Sequence, residues 1–212
     1  MNQLLRWGLA FAAVLTMLTP SAVSAQNFYV AIRGGPGATP DLKAGVVGFE
    51  ETQEFSTGFT ASGAVGYSTS FGLRFDGEFG YIWAPLKSDG GVSVGGSLKN
   101  YLLMANAYYD LKLPFLGGFK PYIGFGIGGA RINADRQIFA EATGLKYPID
   151  EWRTAFAYQG RIGVGYDVNK WLDLSLGYRY VHIEGGTWRD TPKVVTDGMN
   201  NHSIEFGAAV KF

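Results

Sequence analysis

The sequence predicts an all-β chain folded as an eight-stranded antiparallel up-and-down transmembrane β-barrel. Three observations carry this expectation: apolar and polar residues alternate with a period of two, the alternating stretches run to about ten residues, and the connections between them are long and short in turn. The pattern is clearest across residues 154–184. There Phe156, Tyr158, Ile162, Val164, Tyr166 and Val168 alternate with Gln159, Arg161, Gly163, Gly165 and Asp167. After Asn169-Lys170 the same parity resumes, with Leu172, Leu174, Leu176, Tyr178 and Tyr180 set against Asp173, Ser175, Gly177 and Arg179. This is a hairpin with one apolar and one polar face. Its strands exceed the ~5–6 residues usual in globular sheets and match the ~9–11 that cross a bilayer at a tilt.

Composition agrees. With 47% hydrophobic residues, mean hydropathy is only +0.03, and past the N-terminus no apolar run is long enough for a transmembrane helix. The 31 glycines and 15% aromatic residues suit close-packed strands and interfacial aromatic belts. The absence of cysteine excludes disulfides, thiolate metal sites and thiol catalysis. Eighteen basic residues balance eighteen acidic ones, so nothing points to a nucleic-acid partner.

Residues 1–25 read as a cleaved secretory signal peptide: Arg6 supplies the positive end, residues 9–18 an apolar run, and Val23-Ser24-Ala25 a small-residue cleavage site. Residues 26–212 are then one barrel domain, with Gln26 as the mature N-terminus.

In chain order, residues 27–34 give the first strand, stopped by Gly34-Gly35-Pro36-Gly37. A polar loop over 35–56, acidic through Asp41, Glu50, Glu51 and Glu54, precedes strands at 57–68 and 71–84 joined by Thr69-Ser70. A second long loop over 85–98 leads to strands at 99–112 and 120–131, joined across 113–119. In the third long loop, 132–153, Asn133 is placed to cap a short helix running to Thr143 and stopped by Gly144. The hairpin described above supplies strands six and seven, and a fourth long loop over 185–201 leads to the last strand, 202–212.

Eight antiparallel strands put every long loop on one side and every short turn on the other. An open sheet in lipid would leave edge groups unpaired at several kcal/mol each, so the first and last strands must pair and close the barrel. Long loops outside and short turns in the periplasm form the outer-membrane pattern. A soluble barrel of the lipocalin kind would carry its apolar residues inside, whereas here the charges share a face with the glycines.

Several segments carry a resemblance: Asn106-Ala107-Tyr108-Tyr109-Asp110, Lys120-Pro121-Tyr122-Ile123-Gly124, Gly163-Val164-Gly165-Tyr166-Asp167 and Leu176-Gly177-Tyr178-Arg179-Tyr180. With these the chain resembles the opacity-protein and surface-antigen type of Gram-negative outer-membrane β-barrel, a porin-like family related in shape to the OmpA transmembrane domain. The resemblance implies location in the cell outer membrane and a structural or surface-interaction role. Passage of small solutes is the alternative, and a lipid-modifying enzyme a more distant one. It also implies that Ile204, Phe206, Ala208, Val210 and Phe212 form the signal read by the barrel-assembly machinery. Any extracellular ligand would meet the long loops, which carry no recognisable motif.

The candidate site is the lumen. Parity turns the acids Asp76, Glu78, Asp110, Asp167, Asp173 and Glu205 inward, together with the bases Arg33, Arg74, Arg161, Arg179 and Lys211. Six against five in so narrow a space predicts a salt-bridge network that fills the lumen. Gly124-Phe125-Gly126-Ile127-Gly128-Gly129 matches a dinucleotide-binding spacing, but no helix follows to hold a pyrophosphate, so it reads as inward glycines and no cofactor is expected. If Glu184 pairs with His202, then His182, Glu184 and His202 gather on the outward face; no serine joins them as a nucleophile and Ser203 points inward. Neither a catalytic nor a metal site is therefore expected.

Overall fold

The computed structural model describes residues 27–40, 42–46, 49–53, 57–85, 95–111, 113–140, 145–187, 194–196 and 198–212. The signal-peptide reading of residues 1–25 falls outside these, as do Asp41 and Glu54 of the acidic loop. In order the strands are β1 (Phe28–Ala38), β2 (Leu42–Val46), β3 (Phe49–Gln53), β4 (Gly58–Ser68), β5 (Leu73–Pro85), β6 (Gly95–Asp110), β7 (Phe119–Ala140), β8 (Leu145–Asp167), β9 (Leu172–Ile183), β10 (Gly186–Thr187), β11 (Val194–Thr196) and β12 (Met199–Lys211). Eight of them, β1, β4 to β9 and β12, close an antiparallel barrel in which each strand pairs with its neighbours in sequence. β1 meets β12 with Val30 opposite Val210 and Ile32 opposite Ala208, which leaves the barrel no open edge.

The polarity is inside-out. Ile32, Leu103 and Phe206 are 67%, 69% and 64% exposed on the outer wall, while Glu78 and Arg179 are fully buried in the lumen. Only hydrocarbon outside makes that distribution stable. Aromatic girdles mark the limits of the apolar band. Phe28 packs on Tyr67 and Phe119 on Tyr166 near the short turns; Phe59 packs on Tyr81, Tyr81 on Tyr101 and Tyr158 on His182 toward the long loops.

The short turns are built for sharp reversal. Thr69 Oγ1 accepts from the Leu73 amide at 3.0 Å, and Gly72 takes the left-handed φ of 99° that returns the chain. Asn169 Oδ1 accepts from the Trp171 and Leu172 amides at 2.9 and 2.8 Å, closing the turn expected at Asn169-Lys170. Between β6 and β7 a 3-10 turn, Pro114–Leu116, stops at Gly117 with φ 57°.

Three sequence expectations are corrected. β1 does not stop at Gly34 but runs on to Ala38, because Pro36 sits opposite Phe59 on the β4 side while the β12 ladder passes over residues 35 and 36. In place of a helix capped by Asn133, β7 extends to Ala140 and β8 begins at Leu145, a hairpin in which Asn133 pairs with Trp152. The first and fourth long connections are not simply loops. β2 pairs with β3 and also with β11, setting Ala44 opposite Thr196, so two connections far apart in sequence join in a four-stranded sheet.

Candidate functional site

Alternation on β5 delivers Arg74, Asp76 and Glu78 to the lumen; β8 delivers Gln159 and Arg161, β9 delivers Arg179, β12 delivers Glu205 and β1 delivers Arg33. At mid-height these side chains form a closed ring around Glu78. Its Oε2 accepts from Arg33 Nη1 at 2.9 Å and from Arg161 Nη1 at 2.6 Å. Its Oε1 accepts from Arg161 Nη2 at 3.0 Å and from Arg179 Nη2 at 3.1 Å. Glu205 is the second anion, accepting from Arg161 Nε and Arg179 Nη1, both at 3.2 Å, and from Thr60 Oγ1 at 3.1 Å.

A chain of neutral groups continues the ring. Arg179 Nε donates to Gln159 Oε1 at 2.7 Å, Gln159 Nε2 to Asn106 Oδ1 at 2.5 Å, and Asn106 Nδ2 to Asp76 Oδ1 at 2.7 Å. Asp76 Oδ2 accepts from Arg33 Nη2 and the Tyr29 hydroxyl, both at 2.9 Å. Three arginines against Asp76, Glu78 and Glu205 leave no uncompensated charge in this layer, the condition for burying ions at all. The glycine run on β7 makes room for it: a Cβ on Gly124 would lie 2.2 Å from the Tyr108 ring, whose hydroxyl accepts from Arg161 at 2.7 Å.

Below the ring, toward the short turns, Arg74 Nε pairs with Asp110 at 2.8 Å and its guanidinium lies 4.9 Å from the Tyr108 ring centre. At the mouth, Lys120 reaches Asp167 at 2.7 Å and Asp173 at 2.9 Å, and Lys211 bridges the same two carboxylates. The mouth is an open cavity of about 440 Å³ lined by Tyr29, Arg74, Asp110, Lys120, Asp167, Asp173 and Lys211. Lys120 was missing from the sequence reading. It shares the parity of Tyr122 and Gly124, so alternation alone identifies it, and it brings the lumen to six acids and six bases.

Above the ring the lumen is apolar. Ile82, Leu98, Leu102, Met104, Ile132, Val181, Ile183 and Met199 pack together with Ala84, Ala130 and Ala157, all buried. These residues stand on the same parity as the charges, so the inner face changes character partway along each strand. Asn100 and Asn201 are buried within this layer, Asn100 opposite Ile82 and Ile132 and Asn201 opposite Val181, with Asn201 donating to Thr39 Oγ1 at 3.1 Å.

The histidines are placed differently from the sequence expectation. His202 pairs across the strands with Tyr180 and not with Glu184, and its Nδ1 meets the Tyr178 hydroxyl at 2.5 Å. Asn200 Oδ1 accepts from the Tyr180 hydroxyl at 2.8 Å and lies 2.7 Å from His182 Nδ1. Ser203 is buried on the inner side, as its parity predicts.

Known proteins resemble this chain in sequence and fold. The chain is 33% identical over 134 residues to an uncharacterised protein of Brucella abortus (strain 2308), a match that takes in 51% of this chain and 46% of that protein. It is 30% identical over 161 residues to an "Outer membrane protein" of Gluconacetobacter diazotrophicus, covering 72% of this chain and 42% of the relative. The chain thus spans about half the length of the curated relatives it matches. Among solved structures, Neisserial surface protein A superposes with a TM-score of 0.58 at 24% identity, covering 87% of this chain and 97% of that one. The sequence profile of the outer membrane protein beta-barrel domain matches residues 10–212, and the protein belongs to that family of Gram-negative outer-membrane barrels.

Proposed function

We propose that this barrel is a non-enzymatic structural or surface-interaction protein of the outer membrane that presents its long connections outside the cell and does not conduct solutes. The observation that carries this reading is the doubly filled lumen, a ring of buried ion pairs below and a packed apolar layer above. Water would have to break the ring at about 3–5 kcal/mol for each pair opened and then cross a layer that offers it few polar partners. The outer side supports a presenting role. β7 and β8 have 22 and 23 residues, about twice the span of the bilayer, and the β2–β3–β11–β10 sheet adds ordered backbone. Among the described residues His202 meets the Tyr178 hydroxyl and His182 meets Asn200, and no serine or threonine hydroxyl bonds to either ring, which favours a non-enzymatic role.

On this reading residues 1–25 direct export and are removed, and Ile204, Phe206, Ala208, Val210 and Phe212 present the last strand to the assembly machinery. Intact-mass measurement of protein extracted from outer membranes should give a chain beginning at Gln26; a full-length chain would refute the processing step. Single-channel recording in planar bilayers tests the lumen. Wild type should stay at baseline, and reproducible large-pore conductance free of contaminating porins would favour the solute-channel alternative.

A further inference from the structure

The mouth cavity at the short turns, about 440 Å³, falls within the ~300–1,000 Å³ range of small-molecule sites. It is a dead end. Inward it shares Arg74, Asp110, Lys120 and Asp173 with a void of about 30 Å³ that reaches Arg33, and there the ring closes the lumen. A molecule entering by the short turns is therefore held and returned. The charges around it are balanced but not fully spent. Three cations, Arg74, Lys120 and Lys211, line the cavity with three carboxylates, Asp110, Asp167 and Asp173. Arg74 and Asp110 satisfy each other at 2.8 Å. Both lysines approach one oxygen of each remaining carboxylate, Asp167 Oδ1 and Asp173 Oδ2. Among the described residues, Asp173 Oδ1 is buried without a hydrogen-bond partner, a state that costs free energy until a donor reaches it. Each ammonium has three donor hydrogens and directs two at these oxygens, which leaves one on each lysine for an acceptor.

These unspent groups select the occupant. An ion of single sign would unbalance a lining of three charges against three, and an apolar molecule would strip water from all six and replace none of it. A neutral polyol could fill the hydrogen bonds but lacks the attraction of opposite full charges. A molecule with one ammonium and one carboxylate keeps the balance and meets both needs. Its ammonium donates to Asp173 Oδ1, its carboxylate accepts from Lys120 and Lys211, and Leu113, Phe119 and Ala209 offer an uncharged wall to the rest of it.

We propose that the short-turn mouth is a reversible binding site for a neutral α-amino acid in its zwitterionic form, the ammonium on Asp173 and the carboxylate on Lys120 and Lys211. Entry from the periplasm rests on the orientation proposed above; the seat itself does not. The test is an NMR titration of the refolded barrel in detergent micelles, following the Gly118 and Ala209 amides, which lie at the cavity wall. L-Alanine should shift them saturably. N-acetyl-L-alanine, which lacks the ammonium, and L-alaninamide, which lacks the carboxylate, should each bind about ten-fold more weakly or worse, and glycerol should give no saturable shift. Asp173→Asn keeps the side-chain shape and should weaken L-alanine by about ten-fold or more. Lys170→Gln removes a charge in the neighbouring turn, outside the cavity lining, and should leave binding unchanged. Absence of a saturable shift with L-alanine, equal affinity for the capped forms, or wild-type affinity in folded Asp173→Asn would overturn the proposal. If Asp173→Asn does not fold, the capped and uncapped ligands on wild type decide it. The titration reads binding in micelles, so it succeeds or fails independently of the conductance measurement.

Discussion

Replacing Glu78 with alanine is expected to cost about 3–5 kcal/mol of stability, because it strips the common partner from three arginines that are buried on all sides. Arg33 keeps Asp76, and Arg161 and Arg179 keep Glu205, but one positive charge is then uncompensated in a layer sealed above by apolar side chains. Asp167→Ala removes a carboxylate that also accepts from two cations, yet its side chain is 41% exposed at the mouth, and Asp173 remains to both lysines. Screened by solvent, that change should cost less than about 1 kcal/mol. Urea unfolding of the two variants in lipid vesicles measures the contrast. Similar midpoints for both would mean that the ring is not a closed electrostatic unit.

The second large effect is expected at the seam where the barrel closes. A Cβ on Gly35 would lie 1.9 Å from the Ile204 carbonyl oxygen and 3.3 Å from the Glu205 Cα, a collision with backbone that no rotamer relieves. Gly35→Val should therefore push β1 away from β12 beside Glu205 and remove most of the compact, heat-modifiable form expected of wild type on unheated gels. Gly63→Val, on the outer wall with nothing within 4 Å, is the matched control and should fold as wild type does. Equal compact fractions for the two variants would show that the seam tolerates a side chain.

Much of this was legible in the sequence because a bilayer imposes a strict rule on strands that cross it. Wherever one face meets hydrocarbon, a residue's parity fixes its side, and so Arg161, Arg179 and Glu205 could be placed in one lumen before any contact was known. The rule weakens where the environment changes. Val181 and Ile183 share the parity of Arg179, and reading every apolar residue as lipid-facing conceals the layer they build with Leu102 and Met104. Beyond the girdles no lipid enforces alternation, so the upper parts of β7 and β8 read as loop. The pairing of Ala44 with Thr196 joins segments that have no local signal for each other. Gly35 reads as a breaker and serves instead as the point of closest approach between the first and last barrel strands.

The mid-height ring also constrains the order of events by which the chain reaches its membrane. Its charged members come from β1, β5, β8, β9 and β12, with partners separated by 45 residues in Arg33 and Glu78 and by 101 in Arg179 and Glu78. A hairpin entering lipid alone would drag its inner face through hydrocarbon, at about 2–4 kcal/mol for each arginine or lysine near the midplane. The β8–β9 hairpin carries Arg161 and Arg179 together, and their carboxylates arrive on β5 and β12. Insertion one hairpin at a time is thus opposed at nearly every step, and the charges are neutralised together only when the two ends of the chain meet. Topology of this kind makes the crossing cooperative and slow, because no part of the inner face is neutral until the first and last strands meet.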